Sequence, residues 1–324
     1  MRQNKGCDAS LSEKYDIHLR EKTAMREARN SDRQLNDALI VSFDLENVIT
    51  LPKAGTSNFF YKRKLNLYNL TAHASLSGRG YCAIWPETLS GRGGSDIASA
   101  LIRILGAVVA DHPHVSHSIT WSDSCVPQNR NSIMPFAVAN FLQQNPHVQS
   151  FEMKYSVPGH SCIQEVDTMH SRIEHAMQVS EFYSPVSFVR ILMNAKRNQP
   201  FRVLQMKEAD FKDYQMPAKH LDYSKVPFSK VVQLKFTQVW PVVQYRLSWE
   251  ENVLKTVNVR KFAASTRKAS HVKDTTQAMP AFPVKPVSKT NRQSLSQEKK
   301  NDIRSMLKWL PLEDKQYYEK TILK

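Results

Sequence analysis

The feature that most constrains the fold is a short apolar run, Ala38-Leu39-Ile40-Val41-Ser42-Phe43, that closes on an acid, Asp44. Such a run reads as a buried strand that delivers a carboxylate at its C-terminal end. The pattern returns over residues 115–123, which close on Asp123. Between the two, residues 59–74 and 80–86 are rich in aromatic and apolar side chains and read as further strands, so the first three strands form a meander. A Gly-rich turn, Ser90-Gly91-Arg92-Gly93-Gly94, precedes Ser95 or Asp96 as the cap of a helix. Ile97, Leu101, Ile104, Leu105 and Val108 form its apolar stripe. A helix over 134–144, a strand over 148–157 and, after Pro158-Gly159, a helix over about 164–179 complete the series. The order is strand, strand, strand, helix, strand, helix, strand, helix, which predicts an α/β fold with a mixed sheet flanked by helices.

The flanks extend this body. Residues 11–39 are charged and free of Gly and Pro, with Leu19, Ala24, Ala28 and Leu35 at roughly helical spacing. Residues 1–36 are therefore expected as a helical, partly disordered lead. Its basic residues Lys14, Arg20, Lys22, Arg26 and Arg29 alternate with acids and read as a solvated face rather than a nucleic-acid arm. The main domain is expected over 37–259; its last part, with strand-like alternation around Trp240, Tyr245 and Trp249, either extends the sheet or forms a small subdomain. Residues 260–295 lose apolar periodicity and read as a basic flexible linker. Residues 296–324 form a C-terminal helical segment, with Ser296 as cap and Ile303, Met306, Leu307 and Leu310 on one side.

Charge narrows the partners. The formal net charge is +15 over 324 residues, and residues 255–324 hold 16 Lys and Arg against 6 Asp and Glu. An anionic partner is implied, and DNA is the first expectation. No apolar run approaches the roughly 18 residues of a membrane span, and the N-terminus lacks the apolar core of a signal peptide, so an intracellular, nuclear protein is expected. Cys7, Cys82, Cys125 and Cys162 include no CxxC pair, which argues against a zinc ribbon or a disulfide framework. A Gly-x-Ser-x-Gly elbow is absent, and only proximity recommends Cys125 as a nucleophile. The sequence leaves a homo-oligomer open.

Two-metal phosphodiester chemistry needs carboxylates from separate elements converging on two ions, one activating the attacking oxygen and one stabilising the leaving oxygen. Mg2+ or Mn2+ suits it, because a few placed carboxylates complete an oxygen shell that keeps several waters. Asp44, Asp123 and Asp167 are the candidate catalytic and metal-binding acids, and Glu174, on the same helical face, is the rival for the third place. His160 and His170 either contact a phosphate or are polar residues at a strand–helix junction. Gln128, Asn129, Arg130 and Asn131 either hold nucleic acid or satisfy their own loop and cap the next helix. A lone Asp at a strand end is usually a turn or cap residue. Three acids in this order carry more weight.

The blocks Phe43-Asp44-Leu45 with Leu51-Pro52-Lys53, Phe60-Tyr61-Lys62-Arg63 to Tyr68-Asn69, and Trp85-Pro86-Glu87-Thr88 come first. They are followed by Ser122-Asp123-Ser124-Cys125 with Gln128-Asn129-Arg130-Asn131, and by Pro158-Gly159-His160-Ser161 with Asp167, His170, Ile173 and Glu174. Together they resemble a transposon-derived domain family of unknown function found in invertebrate mobile elements. The resemblance runs from about Leu39 to Leu323 and implies a ribonuclease H-like, DDE/D-type transposase fold with an acidic triad at Asp44, Asp123 and Asp167. In enzymes of that fold the first acid sits on the first strand, the second at the end of the fourth, and the third on the helix after the fifth. Val126-Pro127 departs from the family, which has Gly before the Gln-Asn pair, and stiffens the loop beside Asp123.

Two functions follow from these readings. The first is a transposase-derived, metal-dependent phosphodiester enzyme acting on DNA. The alternative is a domesticated, catalytically inactive nucleic-acid-binding or protein-interaction protein of transposon origin. No zinc-finger spacing or clear helix-turn-helix lies ahead of Leu39, the pattern expected of a fragment or a repurposed copy.

Overall fold

Ala38–Leu45 forms β1, where residues alternate between two buried faces: Leu39, Val41 and Phe43 enter one apolar cluster, Ala38 and Ile40 another. The computed structural model describes residues 5–160, 164–261, 284–286 and 294–324, and the backbone alone for 5–10 and 164. Ser161, Cys162 and most of the linker expected over 260–295 lie outside the described residues, as does the side chain of Cys7.

Strands β2 (Ile49–Leu51), β3 (Leu65–Ala74) and β4 (Arg79–Pro86) follow, and β3 runs antiparallel to β1, β2 and β4. After the helix α2 (Gly94–Asp111), β5 (His117–Ser122) lies parallel to β1. After α3 (Ile133–Gln144), β6 (Ser150–Tyr155) lies parallel to β5. β7 (Arg202–Gln205) joins one end, and β8 (Gln233–Thr237), β9 (Val242–Arg246) and β10 (Lys255–Asn258) the other. Among the described residues this is one ten-stranded mixed sheet of order β10-β9-β8-β6-β5-β1-β3-β4-β7, with β2 paired only to β3. The segment around Trp240 and Tyr245 thus extends the sheet rather than founding a subdomain. The strand expected over 59–74 begins only at Leu65. Phe60 and Tyr61 mimic a strand in composition but are 77% and 90% exposed beyond a short 3-10 turn.

Helices α2 and α3 cover one face of the sheet, burying Leu101, Ile104, Val108, Phe141 and their neighbours. The start of α2 is held by Asp96, whose carboxylate accepts the Gly93 N–H at 2.8 Å. The other face carries α4 (Gln164–Gln178) and α5 (Pro185–Asn194). It also carries α1 (Lys5–Arg33) and the C-terminal unit. That unit comprises α7 (Gln297–Met306) and α8 (Leu312–Tyr317); a short α6 (Gln215–Ala218) precedes it in the chain. Ser296 caps α7 by accepting the Lys299 N–H at 3.2 Å, as expected, and Ile303, Met306, Tyr318 and Ile322 are buried in the cluster around Phe182 and Phe188. Replacing Ile303 by Ala is expected to destabilise the protein by about 2–4 kcal/mol. The readout is a lower urea midpoint at unchanged slope, and an unchanged midpoint would mean that the unit does not share the core.

The expectation of a solvated basic face on α1 is corrected at Arg29. Met25, Arg29 and Asp32, at i, i+4 and i+7, form the buried side of the helix. Arg29 is 2% exposed; its Nη2 donates to Ser42 Oγ and, at 2.8 Å, to Glu165, and its guanidinium lies over the Trp121 ring. Arg33 donates to the other oxygen of Glu165 at 2.8 Å. Asp32 accepts from Trp121 Nε1 at 2.7 Å and from Lys154 Nζ at 2.9 Å. A buried cation is tolerated only with such partners. Among the described residues no helix is long and apolar enough to cross a membrane.

Candidate functional site

Beneath α4 the sheet changes character along its strands. On β1 the face that begins with Ala38 and Ile40 continues with Ser42 and Asp44, and then with Glu46 just beyond the strand. On β3 the same face begins with buried Leu65 and Leu67 and continues with Asn69, Thr71 and His73. The register sets Ser42 opposite His73 and Asp44 opposite Thr71, and the Glu46 N–H donates to the Asn69 carbonyl at 3.0 Å. The result is a polar stripe across two adjacent strands, with α4 packed over both of them.

Asp44 gathers the expected acids around it. Burial first, then the charge of Asp123 and a smaller push from Asp167, raise its carboxyl to about 7 against the lowering effect of the Leu45 N–H, 2.9 Å from Oδ1. Asp123 follows the last residue of β5. Its Oδ1 accepts from Asn129 Nδ2 at 2.5 Å and from the Cys125 N–H at 3.2 Å. Asp167, exposed on α4, is itself raised by burial and by Glu165. Glu174 stands in a different relation. It acts on Glu46, a buried carboxyl raised to about 7 by burial first and then by Glu174, with Asn69 Nδ2 offsetting part of the shift from 2.7 Å. The two rivals for the third acid thus act on different groups: the charge of Asp167 on Asp44, and that of Glu174 on Glu46.

The other expected residues fall inward or beside the site. His170 Nε2 is 2.6 Å from Thr71 Oγ1, which donates its own proton to the Asp44 carbonyl at 3.1 Å, so Nε2 carries the proton of the imidazole. Burial pushes His170 down to about 4. Its imidazole is therefore expected to remain neutral at pH 6, and an NMR titration showing protonation near pH 6.5 would contradict this packing. Gly159, with φ of 77°, occupies the left-handed region that a side chain disfavours and turns the chain into His160. The His160 ring lies 4.8 Å from that of His18 on α1, tilted by 38°.

Asn129 and Arg130 are 3% and 6% exposed. Arg130 donates to the Val231 carbonyl at 3.1 Å. Asn131 Oδ1 accepts the N–H groups of Ile133 and Met134 at 2.9 and 3.2 Å, capping α3. These three side chains are engaged by the protein itself, the loop-and-cap arrangement of the two expected. Gln128 is half-buried. Cys125 is no activated nucleophile: burial, Asp123 and Asp44 all push its thiol up.

Sequence reasoning missed Glu46, Asn69, Thr71 and the pair Arg29–Glu165. Glu46 had a signal, since it lies two residues beyond Asp44 and shares its face. Glu165 lies two residues before Asp167, and its pairing with Arg29 and Arg33 outweighs burial and holds it at about 2, so α1 fixes the start of α4.

Among the described residues no three His, Cys, Asp or Glu side chains are arranged to hold one ion together. Magnesium, which keeps several waters, is bound through one or two carboxylates. Asp44 on β1 and Asp123 just beyond the neighbouring parallel strand β5 are two such carboxylates, and a cation between them would offset the burial and the Asp123 charge that raise Asp44. No protein-family model, curated protein or solved structure matches the chain.

Proposed function

We propose that this chain is a transposase-derived protein of ribonuclease H-like build that cleaves or transfers DNA strands with Mg2+ or Mn2+ at Asp44 and Asp123, Asp167 completing the site. The observation that carries this reading is that Asp123, at the end of β5, and Asp167, on α4, both act through their charge on the half-buried carboxyl of Asp44 on β1. The sheet order supports the fold: in β4-β3-β1-β5-β6 only β3 runs against the others, and ligands of open α/β sheets gather beyond strand C-termini. When bound, the cation supplies an activated oxygen nucleophile and charge stabilisation of the leaving oxygen.

The protein's own groups prepare this. Asn129 and the Cys125 N–H fix one oxygen of Asp123 and leave the other for a ligand. The Leu45 N–H does the same for Asp44. Neutral His170, its Nε2 proton committed to Thr71, has a bare Nδ1 to accept a hydrogen bond. The net charge of +15 holds the phosphate backbone, with the nucleus as the compartment where DNA is met.

A second reading, a catalytically silent nucleic-acid-binding or protein-interaction protein of transposon origin, is favoured by the occupation of Asp123 Oδ1 by two protein donors. Calorimetric titration with Mg2+, with and without a short DNA duplex, separates the two. The first reading expects binding that the Asp44→Asn, Asp123→Asn double variant loses. Equal binding by both proteins, or none by folded wild type even with DNA, favours the second.

A further inference from the structure

Glu46 is 5% exposed and Asn69 fully buried, and the two side chains touch: Asn69 Nδ2 donates to Glu46 Oε2 at 2.7 Å. With Glu46 ionised, that bond fixes the amide, because a carboxylate only accepts. A further Asn69 N–H contact goes to the Cys82 thiol. Glu46 Oε1 and Asn69 Oδ1 are then left buried with no hydrogen-bond partner. Buried oxygens of native proteins almost always have a donor, and one that lacks it marks an unplaced water, proton or ion. Here two bare acceptors belong to side chains that touch, and the charge of the Glu174 carboxylate on α4 acts on Glu46. Carboxylate and carboxamide oxygens are the ligands of hard divalent cations.

We propose that Glu46, Asn69 and Glu174 form a second divalent-cation site, separate from the one at Asp44 and Asp123, with Glu46 Oε1 and Asn69 Oδ1 as inner ligands and Glu174 closing it from α4. The inference deepens the proposed function, which it needs for the role of the ion and not for its binding. It gives Glu174 a place of its own instead of a rivalry with Asp167. It also explains why an acid follows Asp44 at the spacing that keeps both on one face of the sheet.

The test is calorimetric titration of the full chain with Mn2+ at pH 7.5. It compares wild type, Glu46→Gln, Glu174→Gln and the Asp44→Asn, Asp123→Asn double variant, each first shown to be folded by circular dichroism. Glu46→Gln keeps the shape of the side chain, and Glu174→Gln changes an exposed helix position. The expected result is a Mn2+ event that either Gln variant weakens at least about tenfold and that survives in the double Asn variant. If that event alone is seen, the second site stands and the Asp44–Asp123 reading fails. Binding that only the double Asn variant loses overturns the inference and assigns the bare oxygens to a proton or water. A single event lost in all three variants also overturns it, since the acids would then share one ion, and so does an absence of Mn2+ binding by wild type.

Discussion

Metal-free Asp44→Asn is expected to be more stable than wild type at pH 8, and the advantage should vanish toward pH 4. The carboxyl of Asp44 is raised from 3.8 to about 7 in the folded chain, chiefly by burial and by the neighbouring charge of Asp123. A native state that holds its proton more tightly than the unfolded state loses stability as pH rises between those two values. Below about 4 both states are protonated and nothing is lost; above about 7 the penalty is complete. Three units at 1.36 kcal/mol each set a ceiling of about 4 kcal/mol, which solvent screening of a half-buried group reduces to about 1–3 kcal/mol. The neutral amide of Asn escapes the penalty. Thermal melts in chelator at pH 8 and pH 4.5 read the effect. Saturating Mn2+ should then stabilise wild type more than the variant, which lacks the Asp44 ligand. A variant less stable than wild type at pH 8 would mean that Asp44 is satisfied by its surroundings rather than strained by them.

The largest loss of stability is expected from Asp32→Ala. The Asp32 carboxylate joins α1 to the sheet by accepting from Lys154 and from the Trp121 indole, and all three side chains are buried. Its removal strands the Lys154 ammonium, whose remaining partner is Glu152 at 3.3 Å, and Glu152 is already shared with Lys235 at 3.0 Å. Breaking one side of a buried ion pair costs about 3–5 kcal/mol. Denaturation in urea should therefore show Asp32→Ala near the limit of stable folding. The double variant Asp32→Ala, Lys154→Met should recover a large part of the loss, since no unpaired charge remains. A single variant within about 1 kcal/mol of wild type would show that the pair is solvated and that α1 is not anchored through it.

The sequence pattern exposed the two strand-borne acids because each closes a short strand-like run, apolar before Asp44 and alternating around Ile119 and Trp121 before Asp123. The series of helices and strands was legible for the same reason. The anchoring of α1 was not. Arg29 and Asp32 sit in a charged stretch that reads as solvated, and the partners of Asp32 lie 89 and 122 residues further along, at Trp121 and Lys154. No local pattern announces a burial whose cost is met so far away. Asn69 and Thr71 were hidden differently. They interrupt an apolar strand that keeps its overall character, and their meaning appears only when the register sets Thr71 against Asp44 and brings Asn69 beside Glu46. The polar tail after Asp123 was ambiguous between ligand contact and loop closure; in the structure Asn129 and Arg130 are buried and Asn131 caps α3.

The central claim is that Asp44 and Asp123 make a cation-dependent centre for breaking phosphodiester bonds. Incubation of supercoiled plasmid with the purified full chain and Mn2+, followed by gel electrophoresis, tests it most directly. Nicking that requires the metal and falls at least about a hundredfold in the Asp44→Asn, Asp123→Asn double variant is the expected result. Nicking at equal rates by the two proteins, or intact plasmid with folded, DNA-bound wild type, would contradict it.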